Sequence, residues 1–464
     1  MGSATTDAPI GVVQYANPSK GRRLHPALPA VAVLAVGAVL GTLAVYLNWS
    51  VGTRASIVAA TCLVLWLAQL VPVWLPTMVL WAGATVLLTG PSGTLEPGQV
   101  LTWFADPVLL LFLGGFALAL AAERQGADRA LASLTVHLSH GRAARLVVLA
   151  AGTTALLSMW MSNIAAAALL FGTLRPVWAS RPGTDRLRRA VLLAVALGAN
   201  LGGIATPIGT GPNGIAMAAI SRVRPIDFLD WMLFAFPLAI GLVLAAVALV
   251  LLILRPRGQI EAPRIEGVAR WTAWRPLAAI FGLTVASWLS EPLHGVRAPT
   301  VALATIAALF LFGVLRLRDV TRLDWATLIL IAGGIGLGRL LEAAGVVSVV
   351  AEHFSPPDLP AVLRLFTLAL VAATLSSLMS NTGTAAVLVP LAAAVDPAAS
   401  TAVIVAIACS LGMPFGISTP PNAMAISAGL GARDLLVPGL ILMLGGCALV
   451  ALTGTYVLAA FGLR

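Results

Sequence analysis

Apolar stretches, divided by short polar or charged segments, occupy almost the whole chain. A helix that crosses a bilayer needs about 20 predominantly apolar residues. On that rule the first crossing runs from about Ala27 to Trp49, with Gly52 and Arg54 after it. The block 55–89 is too long for one crossing. Pro72 and Pro76 break it, which predicts two, at roughly 55–71 and 75–89. A fourth is expected at about 107–122, before a charged segment from Glu123 to Arg145. The run 146–174 is unlike the others: charges flank both its ends, and Ser158, Ser162 and Asn163 interrupt its middle. Two half-helices meeting at a polar tip, a re-entrant hairpin, account for that pattern. Next come 190–205, a break over Thr206-Pro207-Ile208-Gly209-Thr210-Gly211-Pro212-Asn213, a short helix 214–220 and a crossing at 229–254.

The order then repeats. Crossings are expected near 276–290, 299–315 and 325–341, followed by a second hairpin at 361–395 with Ser376, Ser380, Asn381 and Thr382 at its tip. A span at 399–413 breaks at Gly416-Ile417-Ser418-Thr419-Pro420-Pro421-Asn422, and a last one runs over 435–461. The landmarks keep their spacing: Ser158 to Ser376 and Asn163 to Asn381 are each 218 positions, Gly115 to Gly334 and Glu123 to Glu342 each 219, and Asn213 to Asn422 is 209. This predicts an all-α polytopic protein of about 11 transmembrane helices plus two re-entrant hairpins. An unpaired polar group in hydrocarbon costs about 2–7 kcal/mol, and irregular backbone at membrane depth survives only where it is buried in protein or lines a cavity. Two matched polar tips, each followed by a Gly/Pro break, therefore point to the two halves of one binding site.

Composition fits this reading. Hydrophobic residues make up 59% of the chain and charged residues 10%, where a soluble domain carries roughly 25% charged. The net charge of +10 does not indicate nucleic acid, because the positives lie between apolar runs rather than on one patch. Most of the 28 Lys and Arg fall in segments that share one face when the N-terminus is cytoplasmic, as the positive-inside bias requires. That orientation places the C-terminus outside. It also brings the hairpins in from opposite faces, an inverted repeat of the kind that puts a transporter's site near the midplane. Residues 1–26 read as a polar cytoplasmic tail, and the first apolar run as a span rather than a cleaved signal. Cys62, Cys409 and Cys447 lie within apolar runs and suggest no disulfide framework, and the five histidines have no metal spacing.

The tips offer neutral oxygens: Ser, Thr and Asn side chains and carbonyls freed by the breaks. Hard cations such as sodium take oxygen ligands, whereas soft metals want Cys or His. Half-helix C-termini suit a cation and N-termini an anion, so one site could hold sodium beside an anionic substrate. No Asp, Glu or His sits at either tip, which favours sodium coupling over proton coupling. Gly114-Gly115 and Gly333-Gly334 are expected to serve close helix packing, Trp160 to pack beside the first tip, and Arg339 and Glu342 to form an i,i+3 pair.

The paired tips, the two Pro-Asn breaks, and Asp106-Pro107 through 111–116 to Glu123 resemble the divalent anion/sodium symporters (solute carrier family 13), over about residues 50–461. The resemblance implies sodium-coupled symport of a di- or tricarboxylate of the succinate, malate or citrate class. It implies a first sodium site of Ser158, Ser162, Asn163 and the Gly209 backbone, and a second of Ser376, Asn381 and the backbones of Met379 and Ser418. The anion would meet Ser162, Asn163, Ser380, Asn381, Thr382, Thr419 and Pro420. It further implies a homodimer in the cell membrane whose transport domain slides past a scaffold like an elevator. The scaffold would comprise 27–124 and 255–342. The moving part would comprise 125–254, with hairpin 146–174, broken helix 190–220 and helix 229–254, and 361–464, with hairpin 361–395, broken helix 399–428 and helix 435–461. Three positions depart from the family: Ile164 stands where it has Thr, Gln69 where Glu is common, and Gly211 where the first break has Pro. Alternatives are a sodium-independent dicarboxylate exchanger, a carrier of sulfate or another divalent anion, and, remotely, an intramembrane hydrolase. The last needs a Ser-His or Asp-Asp constellation at membrane depth. The expectation is a transporter, not an enzyme, with no organic cofactor.

Overall fold

The computed structural model describes residues 27–89, 96–179, 185–221, 226–260, 275–346, 359–395 and 399–454. The N-terminal tail at 1–26, the 90–93 loop and the end of the last expected crossing lie outside them. The described residues are almost entirely helical; the one extended pairing among them is the isolated antiparallel bridge between Arg142 and Gln259. That bridge ties the base of the first hairpin to the chain that follows helix Phe228–Leu254, through Ile260 N–H to Gly141 O at 2.6 Å.

Seven described helices are long and apolar enough to cross a membrane. Six coincide with expected crossings, and the seventh, Ala361–Leu378, is the first arm of the second hairpin. Other expected crossings are shorter apolar helices, at Val51–Leu67, Leu75–Leu88, Arg275–Leu289 and Ala298–Leu311. The fold is thus an all-α, polytopic membrane protein. Its helix ends follow from local chemistry. Ser50 caps Val51–Leu67 by accepting from Thr53 N, so this helix starts before the apolar run does and takes Arg54, itself buried, into its first turn. Asp106 and Asp324, 218 positions apart, both cap helices, Pro107–Gln125 and Trp325–Ala343. The charged stretch after Glu123, expected as a connector, contains a further helix, Ala127–Leu138. It buries Ala132, Thr135 and Val136 and exposes Leu131, Leu134 and Leu138.

Burial separates centre from periphery. Of the Asp185–Ala205 window 89% is buried, against 17% of Leu28–Tyr46. The first broken helix is therefore the hub of the molecule, and the first helix presents its apolar side outward. The glycine pairs make close helix contacts, as expected. A Cβ on Gly114 would lie 2.6 Å from Ala302 Cβ and one on Gly115 2.7 Å from Ile208 Cδ1, while Gly333 abuts Thr77 and Gly334 lies against Ala386. Long-range ion pairs fasten the ends of Pro107–Gln125: Arg339 to Asp106 at 2.8 Å, and Arg124 to Asp319.

Candidate functional site

The first hairpin is two helices, Ala143–Ser158 and Asn163–Leu174, joined by four residues. Ser162 caps the second arm, its Oγ accepting from Ala165 N at 3.2 Å. At the end of the first arm, buried Ser158 Oγ lies 2.6 Å from Asn163 Oδ1 and 2.7 Å from Ala199 O. The broken helix comes in beside them. A Cβ on Gly203 would stand 2.8 Å from Asn163 Oδ1 and 2.9 Å from Gly209 O. Hydroxyl, amide and unwound carbonyl oxygens thus converge around a residue that has no side chain to fill the space. Of the four residues expected at the first cation site, Ser158, Asn163 and Gly209 are brought together here, and Ser162 is adjacent as the cap.

The backbone of the break is held open by side chains. Asn213 Nδ2 donates to Gly203 O, Ile204 O and Thr206 O at 2.9, 3.3 and 2.8 Å. Thr206 Oγ1 donates to Met159 O at 2.5 Å, fixing the break to the hairpin tip.

The second half repeats this construction. Its hairpin arms are Ala361–Leu378 and Asn381–Val395. Ser376 Oγ lies 2.8 Å from Asn381 Oδ1 and 2.6 Å from Cys409 O. Ser380 Oγ accepts from Gly383 N at 3.0 Å. Asn422 Nδ2 holds Met413 O and Phe415 O at 3.0 and 3.1 Å, and Ser418 Oγ donates to Ser377 O at 2.7 Å. Ser376 and Asn381 are therefore in direct contact. Met379 lies in the two-residue link between the arms, with extended backbone, and Ser418 is fastened to the hairpin one residue beyond Ser376.

The halves also interlock. Gly211, at the start of helix Gly211–Ile220, sits against the Thr382 side chain, so the first break touches the second hairpin. Likewise helix Pro420–Ser427 packs on Asn163–Leu174. Thr419 caps Pro420–Ser427 by accepting from Asn422 N, and is buried, whereas Pro420 is exposed. Four helices thus begin at the tips and breaks and four end there, giving positive ends for an anion next to carbonyl ends for a cation. Ile164 is 46% exposed at the first tip, so its side chain fronts open space where its repeat mate Thr382 offers a hydroxyl. Trp160 is a packing residue: it stacks on Phe228 and meets Phe281 edge-on, centroids 6.4 and 5.2 Å away.

Sequence reasoning overlooked Asn200 and Gly203, and treated Thr206, Asn213 and Asn422 only as markers of the breaks. The signal for the two clamps was present as Pro212-Asn213 and Pro421-Asn422 in corresponding positions.

Among known proteins, the family model described as a citrate transporter (CitMHS) matches residues 63–412. An uncharacterized transporter of Haemophilus influenzae is 27% identical, over 84% of this chain and 88% of that protein. A sodium-dependent low-affinity dicarboxylate transporter of Caenorhabditis elegans is 25% identical, over 80% and 81%. An inorganic phosphate transporter of Saccharomyces cerevisiae is 25% identical, over 71% of this chain and 37% of that protein. The solved YdaH transporter of Alcanivorax borkumensis shares the fold: TM-score 0.55 at 17% identity, covering 84% of this chain and 98% of that one.

Proposed function

Because the chain belongs to the CitMHS citrate transporter family, we propose that it is a secondary carrier that moves a di- or tricarboxylate together with sodium. The observation that carries this reading is the duplicated hydroxyl–amide pair, Ser158 Oγ with Asn163 Oδ1 and Ser376 Oγ with Asn381 Oδ1, each beside a broken helix. Sodium would be held in the first half by Ser158, Ser162, Asn163 and Gly209 O, and in the second by Ser376, Asn381 and the carbonyls of Met379 and Ser418. These are neutral oxygens, the ligand type a hard cation takes. The anion would lie between the tips against Ser162, Asn163, Ser380, Asn381, Thr382, Thr419 and Pro420. There the bound cation offsets part of the cost of removing a carboxylate from water. Hairpins and broken helices, within 125–254 and 361–464, would move as a unit past 27–124 and 255–342. The carrier would work as a homodimer in the cell membrane, N-terminus inside.

A second reading has its own support. Ile164 removes a hydroxyl from one end of the site and exposes an apolar surface there, which suits a smaller inorganic anion such as sulfate or phosphate better than an acid with a carboxylate at each end. Uptake into proteoliposomes tests both. Succinate, malate, citrate, sulfate and phosphate are each offered with an inward sodium gradient and with potassium in its place. Sodium-dependent accumulation of a carboxylate supports the first reading and of an inorganic anion the second. Counterflow of a dicarboxylate that is equal in sodium and potassium makes the protein an exchanger.

A further inference from the structure

The two broken helices are also tied to each other at the molecule's centre, and the tie is direct in only one of two corresponding positions. Asn200 Nδ2, on Asp185–Gly202, donates to Asn422 Oδ1 at 2.9 Å. The internal repeat places Asn422 on Asn213, 209 positions earlier, and Asn200 on Ser410, 210 positions later. The packing repeats as well: Gly211–Ile220 lies on Ala399–Ser410 as Pro420–Ser427 lies on Asp185–Gly202. Asn213 uses its Nδ2 as Asn422 does, on the carbonyls of its own break. Its Oδ1, which corresponds to the bonded Oδ1 of Asn422, has no hydrogen-bond partner, and neither has Ser410 Oγ. Asn213 is 0% and Ser410 1% exposed. Asn200 Oδ1 is a third unpartnered oxygen in the same four-residue group.

The reason the second tie is not direct is length. Serine reaches one bond less far than the asparagine amide, about 1.5 Å. Added to the 2.9 Å of the Asn200–Asn422 bond, that shortfall would, on the geometry of the repeat, put Ser410 Oγ about 4–4.5 Å from Asn213 Oδ1. The gap is too wide for an O–H···O bond, and matches two legs of about 2.8 Å meeting at a water oxygen. Two neutral oxygens are too few for a hard cation, which wants about six. A hydroxyl donor facing an amide acceptor is a pair that one water serves at once, accepting from the first and donating to the second.

We infer that Asn213 Oδ1 and Ser410 Oγ hold one buried water molecule, the hydrated counterpart of the direct Asn200–Asn422 bond, and that it joins the broken helices of the two halves. Ser410 donates to the water, and the water donates to Asn213 Oδ1. A buried water in such a place binds to otherwise unsatisfied groups and is costly to remove. The inference stands whatever the protein carries.

Thermal unfolding of purified wild type, Ser410→Ala and Ser410→Asn, each in sodium and in potassium chloride, tests it together with a high-resolution map of the wild type. The map should show a peak about 2.8 Å from both oxygens. Ser410→Ala should lower the midpoint by about 1–3 °C, equally in both salts, and Ser410→Asn should restore it to the wild-type value or above. A map with no peak between the two residues overturns the inference. So does an unchanged midpoint in Ser410→Ala, or a loss confined to sodium, which would make the guest a cation. If Ser410→Asn unfolds because the larger side chain does not fit, the map and the alanine variant still decide.

Discussion

Gly203→Ala places one methyl group at the point where the first candidate cation site converges. Its Cβ would lie 2.8 Å from Asn163 Oδ1 and 2.9 Å from Gly209 O, where ordinary contact begins at 3.4 Å. The amide oxygen would have to retreat by about 0.6 Å to restore contact, some three times the roughly 0.2 Å within which metal–ligand distances are held. The substitution should therefore abolish sodium binding at this site rather than weaken it. It also overpacks the hub of the molecule, which by itself costs about 1–3 kcal/mol, so a matched control is needed. Gly198→Ala supplies one: on the helix Asp185–Gly202 that leads into the break, its Cβ would press on Ala151 O at 2.6 Å, seven residues before the tip residue Ser158. In a thermal-shift titration with sodium chloride against potassium chloride, both variants should unfold earlier than wild type. Gly198→Ala should keep the stabilisation by sodium, and Gly203→Ala should lose at least that part due to the first site. Equal sodium responses in the two variants would show that no cation is held around Gly203.

Asn163→Ala and Asn381→Ala should each abolish sodium-driven uptake while expression stays normal; normal uptake by both would remove the tips from the mechanism. Asn213→Ala takes the donor from Gly203 O, Ile204 O and Thr206 O and should destabilise by about 2–4 kcal/mol. A loss below about 1 kcal/mol, the worth of one hydrogen bond, in a denaturation curve would mean the break holds itself open without the clamp. Ile164→Thr should change anion affinity or preference, measured by competition in uptake; an unchanged profile would mean that residue 164 does not touch the substrate.

Much of the architecture could be read from the pattern of apolar runs, because a bilayer enforces length and a polar interruption within a run has few explanations. The hairpin at 146–174 and the break at 206–213 were legible for that reason, and both appear, as Ala143–Ser158 with Asn163–Leu174 and as 203–210. Less legible was any helix whose apolar residues line one side of a charged sequence. Ala127–Leu138 carries Asp128, Arg129 and His137 among its apolar residues, and reads as a connector when charges are taken as loop markers. Helix starts set by capping also escaped: Ser50 begins a helix that takes in Arg54, a residue that hydropathy assigns to a turn. In the site, the tip residues were identifiable from type and spacing. Gly203 was not, since the importance of a missing side chain shows only when its neighbours are in place. Asn200 was not, because one amide in an apolar helix has no partner until the other half of the chain is brought up to it.

The repeat also separates what the frame requires from what the guests would require. The paired bonds, Ser158 with Ala199 O and Ser376 with Cys409 O, occur in both halves, as do the asparagine clamps and the capped second arms. They hold broken helices open against the tendency of backbone groups to pair with one another, a task that is the same whatever is bound. Apart from Asn200 against Ser410 in the tie between the broken helices, three differences fall on groups that would face a ligand. Ile164 stands opposite Thr382 in the repeat, Gly209 opposite Ser418, and Gly203 opposite Met413. The space around Gly203 is left to oxygen atoms, whereas the corresponding position carries a fully buried methionine side chain. The two candidate cation sites therefore cannot be copies. On the proposed reading the first would draw on Gly209 O beside its hydroxyl–amide pair, and the second would complete its shell from the Met379–Ser380 link and from Ser418. The duplication supplies two similar frames, filled unequally: the first sets Ile164 where the second has Thr382, and the second sets buried Met413 where the first has Gly203.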